Sequence, residues 1–168
     1  IRFFSLFYEK EDQAASFFED IDSAYNALAH LTSGLSSRPR VLSGLPWKDT
    51  WFMAGGESFA AKLMEDAGGD YLWKDNPSTQ AVPLDLESVY LRAVEADIWI
   101  NPGAASSLED IIELDERFGD LKVQKSGQVF NNDARSNDAG GNDYWESATV
   151  RPDLVLADLI GVFHPGLL

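Results

Sequence analysis

The sequence has 168 residues, of which 45% are hydrophobic, as expected for one domain that buries its own core. It carries 28 acidic residues against 13 basic ones, a net charge of -15, and such a surface repels phosphate backbones, which argues against nucleic acid as a partner. Cysteine is absent, which excludes disulfides, Cys-based zinc sites and thiol catalysis.

The N-terminal part predicts helices. Residues 1–10, IRFFSLFYEK, crowd aromatic and aliphatic side chains into a few positions. This pattern predicts either the end of a helix that begins upstream or a helix that is packed on all sides. A helical period follows over residues 17–31, and Gly, Ser and Pro residues end it within 33–39.

From Arg40 onward, short apolar runs alternate with amphipathic segments. The predicted strands are 40–45, 70–73, 97–101 and one or two strands within 121–132. The predicted helices are 57–67, 85–96, 107–118 and 151–163. Asp85 as an N-cap, a capping box of Ser107 with Asp110, and Pro152 in a first turn mark three of the helix starts. The alternation predicts an α/β fold, a parallel sheet wrapped by helices.

No catalytic, metal or cofactor motif is present. His30 and His164 lie far apart and outside any zinc spacing, and there is no nucleophile elbow, P-loop or dinucleotide fingerprint. We therefore predict no catalytic residue, no metal ligand and no cofactor. Asp138 and Asp143 are a loop pair that matches no calcium loop. They leave open a carbohydrate- or phosphate-processing hydrolase that uses paired carboxylates.

Aromatic side chains cluster on loops that follow predicted strands. In open α/β sheets, ligands bind beyond the carboxyl ends of the strands, on such loops. Loop 46–56 and the Asn/Asp/Gly-rich loop 131–148 supply the candidates, while Trp73 and Trp99 lie within strands and are predicted to be core. The candidate ligand-binding residues are Trp47, Trp51, Phe52, Arg135, Tyr144 and Trp145. Aromatics with one arginine suit a large, flat or apolar ligand with some negative charge.

Three segments resemble a known family. Residues 55–73, 82–102 and 142–165 are similar to the C-terminal lobe of ABC-importer substrate-binding proteins that serve iron-siderophores, haem and cobalamin. In that group two α/β lobes are joined by one long rigid helix. The resemblance implies that residues 1–38 are the end of the connector helix plus the following amphipathic helix, and that 39–168 are the C-terminal lobe. The N-terminal lobe and a signal sequence would lie upstream.

The resemblance also implies a function without chemistry. The protein would capture a metal chelate (ferric siderophore, haem or cobalamin) between two lobes and deliver it to an ABC permease and its ATPase. It would be periplasmic or otherwise extracytoplasmic, with or without a lipid anchor. The six candidate residues match the family's ligand-contacting loops, and Glu87 matches a glutamate that docks onto permease arginines. A carboxylate in a first helical turn is well placed for that contact.

One departure keeps the ligand class open. Family members for ferric siderophores often bring several arginines or tyrosines to the site, whereas Arg135 is the single arginine of its loop. A ligand held by apolar contact is therefore as compatible with the sequence as a highly anionic one. A stand-alone interaction module that docks a partner through the Phe-rich N-terminus is the second alternative, beside the hydrolase.

Overall fold

The computed structural model describes residues 1–168 and confirms the predicted α/β fold. The strands are β1 (Arg40–Ser43), β2 (Thr50–Met53), β3 (Asp70–Tyr71), β4 (Val82–Asp85), β5 (Ile98–Ile100) and β6 (Val129–Phe130). Four of them form a parallel sheet in the order β3-β1-β5-β6, while β2 and β4 form a separate antiparallel pair. Crossover connections between parallel strands need helices, and those helices are where the sequence placed them.

Eight α-helices and one 3-10 helix surround the strands. They are α1 (Arg2–Ser5), α2 (Glu11–Ser33), α3 (Phe59–Asp66), α4 (Leu86–Ala93), α5 (Leu108–Leu114), the 3-10 helix Glu116–Asp120, α6 (Lys122–Lys125), α7 (Tyr144–Ser147) and α8 (Pro152–Phe163). Helices α2, α3 and α8 pack against one another. None of the helices combines the length and the apolar character that crossing a membrane requires.

The predicted helix starts have the expected caps. The Asp85 side chain accepts the backbone N–H of Ser88, Ser107 and Asp110 form a reciprocal capping box, and Pro152 opens α8. Each satisfies or removes a backbone donor that has no partner within the helix. These local interactions explain why the boundaries could be predicted.

The core lies on β1 and β5. All three residues of β5 and the two central residues of β1 are buried, because the parallel sheet is covered on both faces. Trp99 in β5 is fully buried and Trp73 is nearly so, which confirms that both belong to the core, although Trp73 lies in the turn after β3 and not within a strand. Trp99 packs with Trp51 and Phe118, and every pair of these rings has its centroids 5.7 Å apart.

The structure narrows two predictions about local structure that left alternatives open. Of the one or two strands predicted within residues 121–132, one is present, β6, and the helical turn α6 takes the place of the other. Val123 and Gln124 are adjacent and both buried, which a half-exposed strand would not allow. The Gln124 amide donates to the carbonyl of Leu108 at 2.8 Å, and this bond holds the turn against α5.

The second of these predictions concerns the N-terminal segment. Helix α1 is only four residues long, and Phe3, Phe4 and the following Phe7 are each about two-thirds exposed, so the segment is not a helix packed on all sides. The other alternative, the end of a helix that begins upstream, stays a prediction. Phe3 and Phe4 border an open groove of about 1040 Å³ that also reaches Phe17 and Phe18 of α2. An exposed apolar cluster of this kind is typical of a surface that contacts another protein segment, a protein partner or a membrane.

Candidate functional site

A cavity of about 780 Å³ opens at the carboxyl ends of β1, β5 and β6. Helices α3 and α8 form its side walls, and loop 131–148 forms its rim. This is the edge of an open α/β sheet at which ligands bind. Most of the lining side chains are apolar, with a few polar groups among them, as in small-molecule sites of this size.

Unusual backbone conformations border the cavity where two strands end. Gly44, just after β1, has φ +78°, and a Cβ there would lie 3.3 Å from Trp51 Nε1, so glycine suits both the backbone and the space. Asn101, just after β5, has φ +51°, a left-handed conformation that Asn tolerates better than most residues. Its N–H donates to the Phe130 carbonyl at 2.8 Å. Such conformations concentrate at functional sites.

Asparagine side chains fix the shape of loop 131–148. Asn131 donates to two carbonyls of the loop after β5, each at 3.0 Å. The Asn137 side-chain oxygen accepts two backbone N–H groups further along the loop. Asn142 accepts the N–H of Tyr144 at 2.9 Å and donates to the carbonyl of Asn132 at 3.0 Å. The loop is long but held by its own side chains, as its composition predicted.

Tyr144 and Trp145 begin the short helix α7 and both line the cavity. Their rings meet edge to face, with centroids 5.2 Å apart. Trp145 is 70% exposed although tryptophan is costly to leave in water. Tyr144 is half-buried, and burial raises its pKa, so its phenol remains a neutral hydrogen-bonding group. The pair presents a rigid aromatic surface to whatever enters.

Arg135 lines the cavity, but its guanidinium already has partners. Its Nη1 lies 2.8 Å from Asp143 Oδ2, and its Nη2 donates to Ser147 Oγ at 3.1 Å. The Ser147 hydroxyl in turn donates to Asp143 at 2.8 Å. Asp143 therefore acts as the acceptor of a local network, and this network supplies no free carboxylate for the paired-carboxylate chemistry considered above.

Residues 46–56 divide between the core and the surface. Residues 50–53 form β2, in which alternate side chains point to opposite sides. Trp51 is fully buried and donates from Nε1 to the Ser43 carbonyl at 3.1 Å, so its predicted place among the ligand-contacting residues is corrected. Phe52 points the other way and lines the cavity. Trp47 is 67% exposed, with Lys48 above its ring, and does not line the cavity.

The structure thus brings together Phe52, Arg135, Tyr144 and Trp145. Sequence analysis missed Asp158 and one apolar face of α8, both of which line the same cavity. The apolar residues of that face are Val155, Leu159 and Val162. The available signal was that α8 carries apolar residues on more than one side, so that packing against α2 covers only part of its surface.

Glu87 lies outside the cavity, in the first turn of α4. Its side chain is 68% exposed and forms an ion pair with Arg117 Nη1 at 2.9 Å. Arg117 is also bound by the Asp115 carboxylate, which contacts its Nε and Nη2. An exposed carboxylate at a helix start remains accessible to a second guanidinium from outside.

The cavity holds no cluster typical of a metal centre. Nowhere in the chain are three or more His, Asp or Glu side chains grouped so that they could hold a metal ion. The polar side chains in the walls carry amides, one hydroxyl, one phenol, one indole, one guanidinium and one carboxylate. This arrangement suits binding of a whole molecule through apolar contact and hydrogen bonds.

Comparison with known proteins supports the fold assignment. No protein-family model matches the chain. It is 27% identical over 168 residues to the uncharacterized lipoprotein MJ0878 of Methanocaldococcus jannaschii, covering 98% of this chain and 38% of that protein. It therefore spans well under half the length of this relative.

Solved structures of periplasmic solute-binding proteins resemble the chain along most of its length. A possible iron-binding (periplasmic solute-binding) protein from Staphylococcus epidermidis has a TM-score of 0.69 at 17% identity, covering 96% of this chain and 58% of that one. The periplasmic haem-binding protein RhuT from Roseiflexus sp. RS-1, in its apo form, has a TM-score of 0.72 at 15% identity, covering 99% and 61%. The chain has the fold of one lobe of such proteins.

Proposed function

We propose that the chain is the C-terminal lobe of a solute receptor for an ABC importer, and that its cavity forms one wall of the site for a metal chelate. The observation that carries this proposal is the aromatic rim of Phe52, Tyr144 and Trp145 at the carboxyl ends of parallel strands. The fold shared with periplasmic iron- and haem-binding proteins supports it. The proposal assigns no chemical step to the chain.

The aromatic side chains and the size of the cavity also indicate the class of ligand. A ferric siderophore, haem or cobalamin offers a large ligand surface that is partly apolar, and an exposed tryptophan beside a tyrosine can pack against such a surface. The cavity of about 780 Å³ is large enough for a substantial part of a ligand of this size, with the remainder facing a second lobe. The receptor would bind through contact area and preorganised loops.

The division of the chain is part of the proposal. Residues 1–38 would join this lobe to a further one, and 39–168 would form the lobe itself. The solved structures are longer than the chain, which covers 58% and 61% of the two described above. The exposed rings of Phe3, Phe4 and Phe7 lie in this joining segment and would be covered by the further lobe. The similar lipoprotein of Methanocaldococcus jannaschii supports an extracytoplasmic, lipid-anchored protein.

Glu87 is proposed as the contact to the permease. Its carboxylate is exposed at a helix start, and its present partner Arg117 is itself exposed to solvent. A permease arginine could replace or join Arg117 without any rearrangement of the lobe, because surface ion pairs of this kind contribute little stability. The docking surface would thus lie apart from the cavity, so that ligand and permease bind independently.

Two tryptophans of similar exposure provide the test. Trp145 is 70% exposed and lines the cavity, whereas Trp47 is 67% exposed and does not. In the full-length protein, Trp145→Ala is expected to weaken binding of the chelate by at least about tenfold, the size of a lost aromatic anchor. Trp47→Ala is expected to leave the affinity unchanged. Equal effects of the two substitutions, measured by calorimetric titration, would contradict the proposed site.

A further inference from the structure

The charges in the walls of the cavity limit the ligand further. Arg135 is the only basic side chain that lines the cavity. Its positive charge is matched by Asp143 at 2.8 Å, and Ser147 occupies a second guanidinium nitrogen. An anionic ligand would have to compete with Asp143 for the guanidinium, because Asp143 already contacts it at ion-pair distance.

The one carboxylate that lines the cavity, Asp158, has no partner within the chain. Asp158 lies on α8, and its side chain forms none of the ion pairs within the chain. Asp158 shares α8 with Val155, Leu159 and Val162, the apolar residues of this helix that also line the cavity. With Arg135 neutralised by Asp143, Asp158 leaves this half of the site with a net negative charge.

The remaining polar groups are neutral and partly in use. The Asn131 amide donates to two backbone carbonyls, and its oxygen accepts the N–H of Asn132. Tyr144 is protonated, because burial keeps its pKa above the ordinary value. The sequence as a whole has a net charge of -15, which adds long-range repulsion of anions at low salt.

We infer that the cavity selects a neutral or cationic chelate with an apolar face and discriminates against polyanionic chelates. The inference rests on the proposed function and narrows its ligand class. The apolar walls and aromatic rim contribute the contact area. Asp158 contributes the preference for positive charge, and the pairing of Arg135 with Asp143 removes the one feature that would attract an anion.

Matched chelates test the charge preference directly. The probes are a ferric trihydroxamate with a free ammonium group, its N-acetylated neutral form, a trianionic ferric tricatecholate, and haem beside its neutral dimethyl ester. Dissociation constants are measured with the full-length protein at an ionic strength of about 0.01 M, where screening is weak. The ammonium-bearing trihydroxamate is expected to bind at least about fivefold more tightly than its acetylated form, and the dimethyl ester at least about fivefold more tightly than haem, the effect of one unit charge at contact distance. The tricatecholate is expected to bind more weakly than either trihydroxamate.

Two variants locate the source of the preference. Asp158→Asn should reduce the advantage of the ammonium-bearing trihydroxamate over its acetylated form by about fivefold. Asp133→Asn removes an exposed carboxylate of the same rim that does not line the cavity, and should leave the ratio unchanged. Both are solvent-facing changes, and unchanged thermal unfolding would confirm that the fold is intact.

The outcomes separate the two claims. Tighter binding of the tricatecholate, or of haem over its ester, would overturn the charge inference while leaving the receptor role in place. An unchanged ratio in Asp158→Asn would also overturn it. Failure of every probe to bind would contradict the proposed function, and with it the inference.

Discussion

Trp51→Ala should destabilise the protein strongly, because this side chain belongs to the core and not to the ligand site. Trp51 is fully buried, and its ring packs against Trp99 and Phe118 with centroid distances of 5.7 Å. Truncation of a buried aromatic residue to alanine costs about 3–5 kcal/mol of unfolding free energy. Loss of the bond from Trp51 Nε1 to the Ser43 carbonyl, 3.1 Å long, adds about 1 kcal/mol.

The expected loss is therefore about 4–6 kcal/mol, a large share of the roughly 5–15 kcal/mol that stabilises a typical domain. For a chain of this size the melting temperature should fall by roughly 10–20 °C. Urea unfolding followed by circular dichroism measures the free energy. The exposed Trp47 supplies the control, since Trp47→Ala should change the stability by less than about 0.5 kcal/mol. A loss below about 1 kcal/mol for Trp51→Ala would refute its placement in the core.

Two further predictions concern exposed and buried carboxylates. Glu87→Arg should abolish uptake of the ligand in cells while leaving the affinity for the ligand unchanged. Glu113→Arg, a charge reversal at another exposed position, should leave uptake intact. Normal uptake with Glu87→Arg would contradict the docking role. The ion pair with Arg151 lowers the pKa of buried Asp153, so its stabilisation is complete above the unfolded pKa of about 3.9 and is lost as the pH falls below it. Urea unfolding should therefore show the stability gap between the wild type and Asp153→Asn closing between about pH 5 and pH 2, and a constant gap would contradict this assignment.

The parallel sheet and its helices could be predicted because their signals are local. The apolar run of β5 and the caps at Asp85 and Ser107 are each contained within a few residues. The pair formed by β2 and β4 could not be predicted in the same way, because its partners are separated by α3 and β3. Pairing at that distance depends on tertiary packing rather than on local preference.

The candidate site shows the same division between local and non-local information. Loop 131–148 was identified because its Asn, Asp and Gly residues and its two aromatics are adjacent in sequence. Trp51 was misplaced because Trp51, Phe52 and Met53 are all apolar, so the sequence shows none of the alternation that their burial has in β2. Asp158 was missed because nothing in α8 itself shows which face the sheet leaves uncovered.

The neutralisation of Arg135 also lay beyond sequence analysis. Asp143 lies eight positions further along the chain, and the ion pair forms only because the rim folds back on itself through the bridge between Ser136 and Asn142. The sequence therefore suggested a site with some affinity for negative charge. The structure assigns that arginine to the rim itself, and this changes the expected ligand.

The most direct test of the account is a tryptophan-fluorescence titration of the full-length protein with haem, cobalamin and several ferric siderophores, and with free iron as the control. Trp145 lies in the cavity wall and is 70% exposed, so a bound chelate should quench its emission. The account predicts saturable quenching at submicromolar concentration by one class of chelate, after correction for absorption by the ligand, and none by free iron. Absence of saturable quenching across the panel, confirmed by calorimetry, would contradict the receptor function.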